Sequence, residues 1–343
     1  METSMKTKRI LTLLFVPALF LIYPATGQIV KKAQVGFRFL ENPISAEVVG
    51  RGGVGVTTTL NSSGIFWNPS LIVWTQTDID ISLNYTKGIA DIDYNAAAAA
   101  IRLGKFGVIG LSALIMDYGT FYGTRRSDNA DGYEETGTFS PSALAVGIAF
   151  SQKVSDRFSY GVHLKYARQN LGSAWVAPTG LSFGVPDFIV SQRGYVQGDF
   201  ALDVGAFYDF LYNGIRFAAT LQNISREIRY ENEPFPMPFA VSFGATVEPL
   251  MFFDEAEKNV FVLSFESRHP RDYKEKVKLG GEYRFMETFA ARAGYMMNYD
   301  ERGFTAGFGV RQDMSGFPLR LDYAYEAFGI FGSVHHISLG VGY

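Results

Sequence analysis

Residues 334–343 alternate apolar side chains with small or polar ones, and the run closes on an aromatic. Tyr343, Val341, Leu339, Ile337 and His335 fall on one face of a strand. Gly342, Gly340, Ser338, His336 and Val334 fall on the other. Such a strand can be half-buried in any β protein. Standing last in a chain and ending on an aromatic, it is the closing strand expected of a bacterial outer-membrane barrel. That expectation constrains compartment, fold class and broad function together.

The start of the chain agrees with that compartment. Lys6, Lys8 and Arg9 precede an apolar run over 10–23, followed by Pro24, Ala25, Thr26 and Gly27. Basic, apolar and small residues in that order predict a signal peptide over 1–27, cleaved near Gly27/Gln28. The run is short for a spanning helix, which needs about 20 residues. The absence of cysteine rules out a lipidated N-terminal Cys, disulfides and thiolate metal sites. A net charge of −3 gives no electrostatic case for nucleic acid. Past the signal, no apolar stretch is long enough for a helical span. The 30 Phe, 19 Tyr and 36 Gly, with only 19% charged residues, suit a sheet closed on itself with lipid outside and a crowded interior.

From residue 79 onward, fourteen segments of strand length follow: 79–87, 91–102, 105–116, 143–154, 158–168, 199–211, 214–224, 237–249, 258–268, 275–285, 289–298, 303–312, 317–326 and 334–343. Lengths near ten residues let a tilted strand cross a bilayer, and bacterial single-chain barrels have even counts. The predicted class is therefore all-β, a transmembrane antiparallel β-barrel of about 14 strands over 79–343. The alanine run within 95–101 favours helix by propensity but is assigned to a strand, because Asp91–Tyr94 alternates and the order of loops requires it.

Alternation also sets the faces. Leu319, Leu321, Tyr323 and Tyr325 oppose Arg320, Asp322, Ala324 and Glu326. A charge on the lipid face near the midplane costs about 2–4 kcal/mol, so charged faces are expected inward. Asp203, Asp209, Arg216, Arg284, Arg292, Arg320, Asp322 and Glu326 then form an interior salt-bridge network. The links sort by parity: 117–142, 169–198 and 225–236 are long, whereas 103–104, 155–157, 212–213, 286–288 and 313–316 are short, with 250–257 a mild exception. Long outside and short at the periplasm is the asymmetry of outer-membrane barrels.

Residues 28–78 alternate poorly and contain the glycine cluster Gly50, Gly52, Gly53 and the turn Trp67, Asn68, Pro69. Irregular backbone at membrane depth is tolerated inside protein, so this stretch is expected to be a hatch folded into the lumen. The glycine cluster lacks the Lys-Ser/Thr of a phosphate loop. His335 and His336 point to opposite faces and cannot share one ion. No Ser-His-Asp order or glycine-flanked serine is evident. No catalytic, cofactor or metal residues are therefore assigned, and the chain is read as non-enzymatic.

Several motifs resemble one family. Phe39-Leu-Glu-Asn-Pro-Ile-Ser-Ala46 before the glycine cluster, and Ile65-Phe-Trp-Asn-Pro69, are similar to the N-terminal signature of PorV/PorQ proteins, which are related to FadL-type transporters. Residues 180–186, 201–205, 221–224, 269–273, 291–295, 321–325 and 335–340 extend the similarity along the chain in the same order. The resemblance implies a FadL-like barrel with an N-terminal hatch and a role around type IX secretion. Translocon subunits or secreted cargo would be the partners, beside outer-membrane lipid. Contact would fall on outer loops 117–142 and 169–198, through Arg125, Arg126, Trp175, Phe183 and Phe188. The alternative is a FadL-like transporter of small hydrophobic molecules across the outer membrane.

Overall fold

The computed structural model describes residues 34–127, 129–176, 191–252 and 259–343. Its strands, in chain order, are β1 (Ile79–Lys87), β2 (Asp93–Arg102), β3 (Val108–Asp117), β4 (Phe121–Arg126), β5 (Tyr133–Phe139) and β6 (Ser142–Lys153). There follow β7 (Phe158–Val176), β8 (Ser191–Asp209), β9 (Arg216–Ile224), β10 (Ile228–Arg229), β11 (Pro234–Phe235) and β12 (Ala240–Val247). The last six are β13 (Asn259–Pro270), β14 (Lys276–Phe285), β15 (Phe289–Met297), β16 (Phe304–Met314), β17 (Phe317–Ala327) and β18 (Ser333–Gly342). Fourteen of them form one closed antiparallel barrel, while β4/β5 and β10/β11 pair separately. The ring closes where β18 pairs with β1, Leu339 opposite Leu83 and Val341 opposite Ile81. Just beyond the ladder, Ile79 and Tyr343 exchange both backbone hydrogen bonds, at 2.9 and 2.8 Å. The Tyr343 ring stacks on Phe317 with centroids 5.4 Å apart.

The faces are reversed relative to a water-soluble sheet. Along β1, Ile81, Leu83 and Tyr85 are exposed, whereas Asp80, Ser82, Asn84 and Thr86 are buried. Leu83 is 51% exposed and Asp80 only 2%. On β18, Ile337 and Leu339 face out while His336 and Ser338 face in. An apolar belt of this kind far exceeds the patches that a protein surface in water tolerates. Hydrocarbon satisfies the belt, and closure of the ladder leaves no unpaired edge within it.

The alanine run is strand, as the parity of the loops requires. Ladders to β1 and β3 on either side override its helical propensity. Ala98 and Ala100 point inward and are small enough to admit Ile65 and Ile72 against the wall. At one end the turns are tight: Ser315 and Gly316 take φ 58° and 90°, the left-handed pair that a two-residue hairpin needs. At the other end the sequence reading needs correction. Much of link 169–198 is ladder, because β7 and β8 run to 19 residues each. Links 117–142 and 225–236 carry the β4/β5 and β10/β11 hairpins. Pairing there satisfies backbone groups of segments that composition alone marks as loops.

Residues 34–78 lie inside the ring. Helix α1 (Ala46–Gly50) packs on β15, β16, β17 and β18, the 3-10 turn Ser62–Phe66 on β1, β2 and β3, and the turn Pro69–Trp74 on β6, β7 and β8. Replacing lipid-facing Leu339 with Arg is expected to cost about 2–4 kcal/mol in reversible unfolding from lipid vesicles. The inward change Ser338→Ala is expected to cost less, about 1 kcal/mol for its hydrogen bonds.

Candidate functional site

The interior segment is bound to the wall by charge at the short-turn end. Glu47 on α1 meets Arg51 at 3.1 Å and Arg311 at 3.3 Å. Arg51 reaches Glu282 at 3.1 Å, Glu282 also holds Arg284 and Arg292, and Arg292 continues to Asp322 at 2.6 Å. Beside them Arg320 grips Asp80 through both terminal nitrogens, and Asp80 accepts the Ser62 backbone N–H at 2.9 Å. Burial alone would raise the Glu47 carboxyl. The guanidiniums of Arg51, Arg311, Arg292 and Arg320 outweigh burial and hold it well below the usual carboxylate range.

The glycine cluster has a steric reason. Gly52 adopts φ 69°, and a Cβ there would overlap the Leu279 carbonyl oxygen and the Tyr295 backbone nitrogen. Further along, Glu266 on β13 accepts the Gly55 and Val56 amides at 2.9 and 3.3 Å and pairs with Lys278 at 2.7 Å. Lys278 also donates to Gly53 O at 3.0 Å. Trp67 packs over Gly55. Asn68 caps the following turn, accepting from Ser70 N at 3.0 Å and donating to Val56 O at 2.9 Å, with Pro69 opening that turn. Gly50, Gly52, Gly53, Trp67, Asn68 and Pro69 thus all sit within the lumen filling.

The eight inward charges picked from parity separate into clusters within the lumen. Arg292 and Asp322 belong to the clamp, and Arg320 borders it. Arg216 pairs with Asp209 and Glu248 at 3.1 and 3.2 Å. Glu326 holds His336 at 3.2 Å and Arg302 at 3.4 Å, while Asp203 holds His163 and Lys165. His335 faces outward, within hydrogen-bond reach of the Tyr323 hydroxyl at 2.8 Å. Among the loop residues, Arg125 pairs with Glu134 across β4/β5. Arg126 and Trp175 lie on described strands, whereas Phe183 and Phe188 lie outside the described residues.

A cavity of about 450 Å³ remains between filling and wall. It runs from long-loop residues such as Tyr273, Tyr299 and Arg302 down to Phe66, Trp67 and His163. At its mouth Arg38 lies 4.6 Å from the Tyr273 ring centroid, and Lys276 Nζ lies 4.9 and 4.5 Å from those of Tyr273 and Tyr299. Deeper, Ile44, Leu114, Ala145 and Met296 supply apolar wall. The sequence shows no local Ser-His-Asp motif, yet three such side chains meet on this wall. Ser112 Oγ is 2.9 Å from His163 Nε2, and His163 Nδ1 is 3.1 Å from Asp203 Oδ2. The signal in the sequence is inward parity shared by all three; the meeting of Ser112 with His163 across the intervening β6 is not.

No family model and no curated protein matches the chain. Solved structures do share its fold. The Ralstonia pickettii toluene transporter TbuX is 13% identical, with TM-score 0.56 over 87% of this chain and 96% of its own. The Pseudomonas putida toluene transporter TodX is 12% identical, with TM-score 0.57 over 92% and 98%. The monoaromatic hydrocarbon channel CymD is 13% identical, with TM-score 0.54 over 87% and 96%. The architecture is that of a FadL-like barrel.

Glu47→Gln leaves the buried Arg51 facing a neutral partner and is expected to cost about 3–5 kcal/mol. Because the folded carboxyl titrates below its unfolded value of about 4.3, its contribution is full above that pH and is lost as pH falls through the folded value. Protection factors of the 46–53 amides, with the intrinsic pH dependence of exchange divided out, should therefore hold at pH 7 and fall only under acid below about pH 4.

Proposed function

We propose that the chain is an outer-membrane passage for small, largely apolar molecules, with residues 34–78 as its hatch. The short turns then face the periplasm and the long loops the outside. One observation carries this reading: the cavity leads from the long-loop end to the interior segment, inside a barrel of the same architecture as hydrocarbon transporters. Its volume of about 450 Å³ suits a small ligand. The apolar lower wall would hold the body of such a molecule, and the Arg38–Tyr273–Lys276 mouth would attract a π-face or a negative group.

Passage requires the filling to give way, and the ionic clamp sets the resistance. Binding energy gained in the cavity would go toward loosening the backbone contacts of Gly50, Gly52 and Gly53, which have no side chains to interdigitate. A second reading, retention of type IX translocon subunits or cargo, is favoured by the β4/β5 hairpin. That hairpin leaves Phe121, Tyr122 and Tyr133 exposed, Tyr122 at 79%.

Cysteines at Ala46 and Ser338, which are joined by a 2.8 Å hydrogen bond, provide a lock in a chain lacking native cysteine. Vesicles carrying the reduced pair should take up labelled toluene in saturable fashion, and oxidation should cut uptake at least about tenfold, a 1.4 kcal/mol barrier. Uptake indifferent to the lock would show that the filling is not the gate. Absent uptake, together with a copurifying protein lost on deletion of 172–190, would favour the second reading.

A further inference from the structure

Ser112 on β3, His163 on β7 and Asp203 on β8 stand in one hydrogen-bonded line on the cavity wall. We propose that they form a nucleophile–base–orienting relay that hydrolyses carboxylic esters whose apolar acyl group enters the cavity. Asp203 is 1% exposed and fully engaged. Its oxygens accept from His163 Nδ1, from Lys165 Nζ at 2.9 and 2.8 Å, and from the Asn223 backbone N–H at 2.7 Å. A carboxylate only accepts, so His163 carries its proton on Nδ1. The lone pair of neutral Nε2 is thereby aimed at the Ser112 hydroxyl, which is the arrangement that activates a serine.

His163 and Asp203 are direct cross-strand partners on β7 and β8, and two departures from a regular sheet complete the line. Ser112 and His163 belong to strands separated by β6, and Gly147 lies on β6 opposite Ser112. Any Cβ at Gly147 would collide with the His163 imidazole, so glycine opens the path between them. On the far side, the β8–β9 register shifts between Leu202 and Val204, and Asn223 takes φ 59°. That bulge turns the Asn223 N–H out of the ladder and onto Asp203. Bulges of this kind re-aim groups beside active sites. Charge balance does not explain the arrangement, since Lys165 already neutralises Asp203. Ser112 and His163 both line the cavity.

The chemistry balances with water as the only co-reactant. Ser112 Oγ bonds to the ester carbonyl carbon as its proton passes to His163 Nε2. The developing oxyanion would draw on the positive charge of Lys165, which lines the same cavity. The carbon–oxygen bond to the alcohol breaks, and the leaving oxygen takes the proton from Nε2. Water then gives a proton to Nε2 and adds its oxygen to the acyl carbon. Ser112 departs with that proton and releases the carboxylic acid.

Purified full-length protein in detergent, treated with a fluorophosphonate probe and assayed on p-nitrophenyl butyrate, tests this without any transport step. The probe adduct is expected on the peptide bearing Ser112. Hydrolysis should fall about 10²-fold or more in Ser112→Ala and in Gly147→Ala, with every variant keeping the heat-modifiable gel mobility of a folded barrel. Asp203→Asn should lower the rate and displace the pH–rate profile, a change that a purely structural role would not produce. A folded protein without an adduct on Ser112, or with hydrolysis undiminished in Ser112→Ala, overturns the proposal.

Discussion

A closed sheet that presents apolar side chains to lipid has to carry its polar ones inward, and there they must find partners. Nearly every feature of this protein's interior answers that requirement. Asp80, Glu266, Glu282, Asp322 and Glu326 all project from the wall and are all held by cations or donors from within the ring. Glu47 and Arg51 bring charge from α1 to meet them, and Glu266 receives two backbone N–H groups of the filling. The filling is thus part of how the wall is satisfied. Removing one member leaves a buried charge that water replaces only if the lumen opens.

Much of the fold can be read along the chain because a lipid-facing strand cannot hide its period. Leu339 and Ser338 must point to opposite faces, and one face must be apolar. The same rule places Arg292, Arg320 and Asp322 inward. It does not say which carboxylate each arginine meets. Arg320 finds Asp80 at the far end of the sequence only because the ring closes β18 onto β1. The extended ladders of β7 and β8 outrun the strand length that bilayer thickness predicts, because that thickness sets no limit beyond the membrane.

The cavity wall was the least legible part. Ser112, His163 and Asp203 are separated by 51 and 40 residues; His163 meets Asp203 as its cross-strand partner, and Gly147 clears the way from His163 to Ser112. Glycine in a strand is ambiguous in sequence: it marks close backbone approach at Gly52 and Gly294, and clearance for a side chain at Gly147. A local pattern carries no information about what lies across the sheet. The glycine-rich interior is therefore informative only once the register is known.

Ion conductance in planar bilayers tests most directly whether the interior segment closes the barrel. Purified full-length protein at neutral pH is expected to insert without steady current, because the filling and its ion pairs occupy the lumen. Long-lived, porin-sized conductance steps from the intact chain would contradict that arrangement.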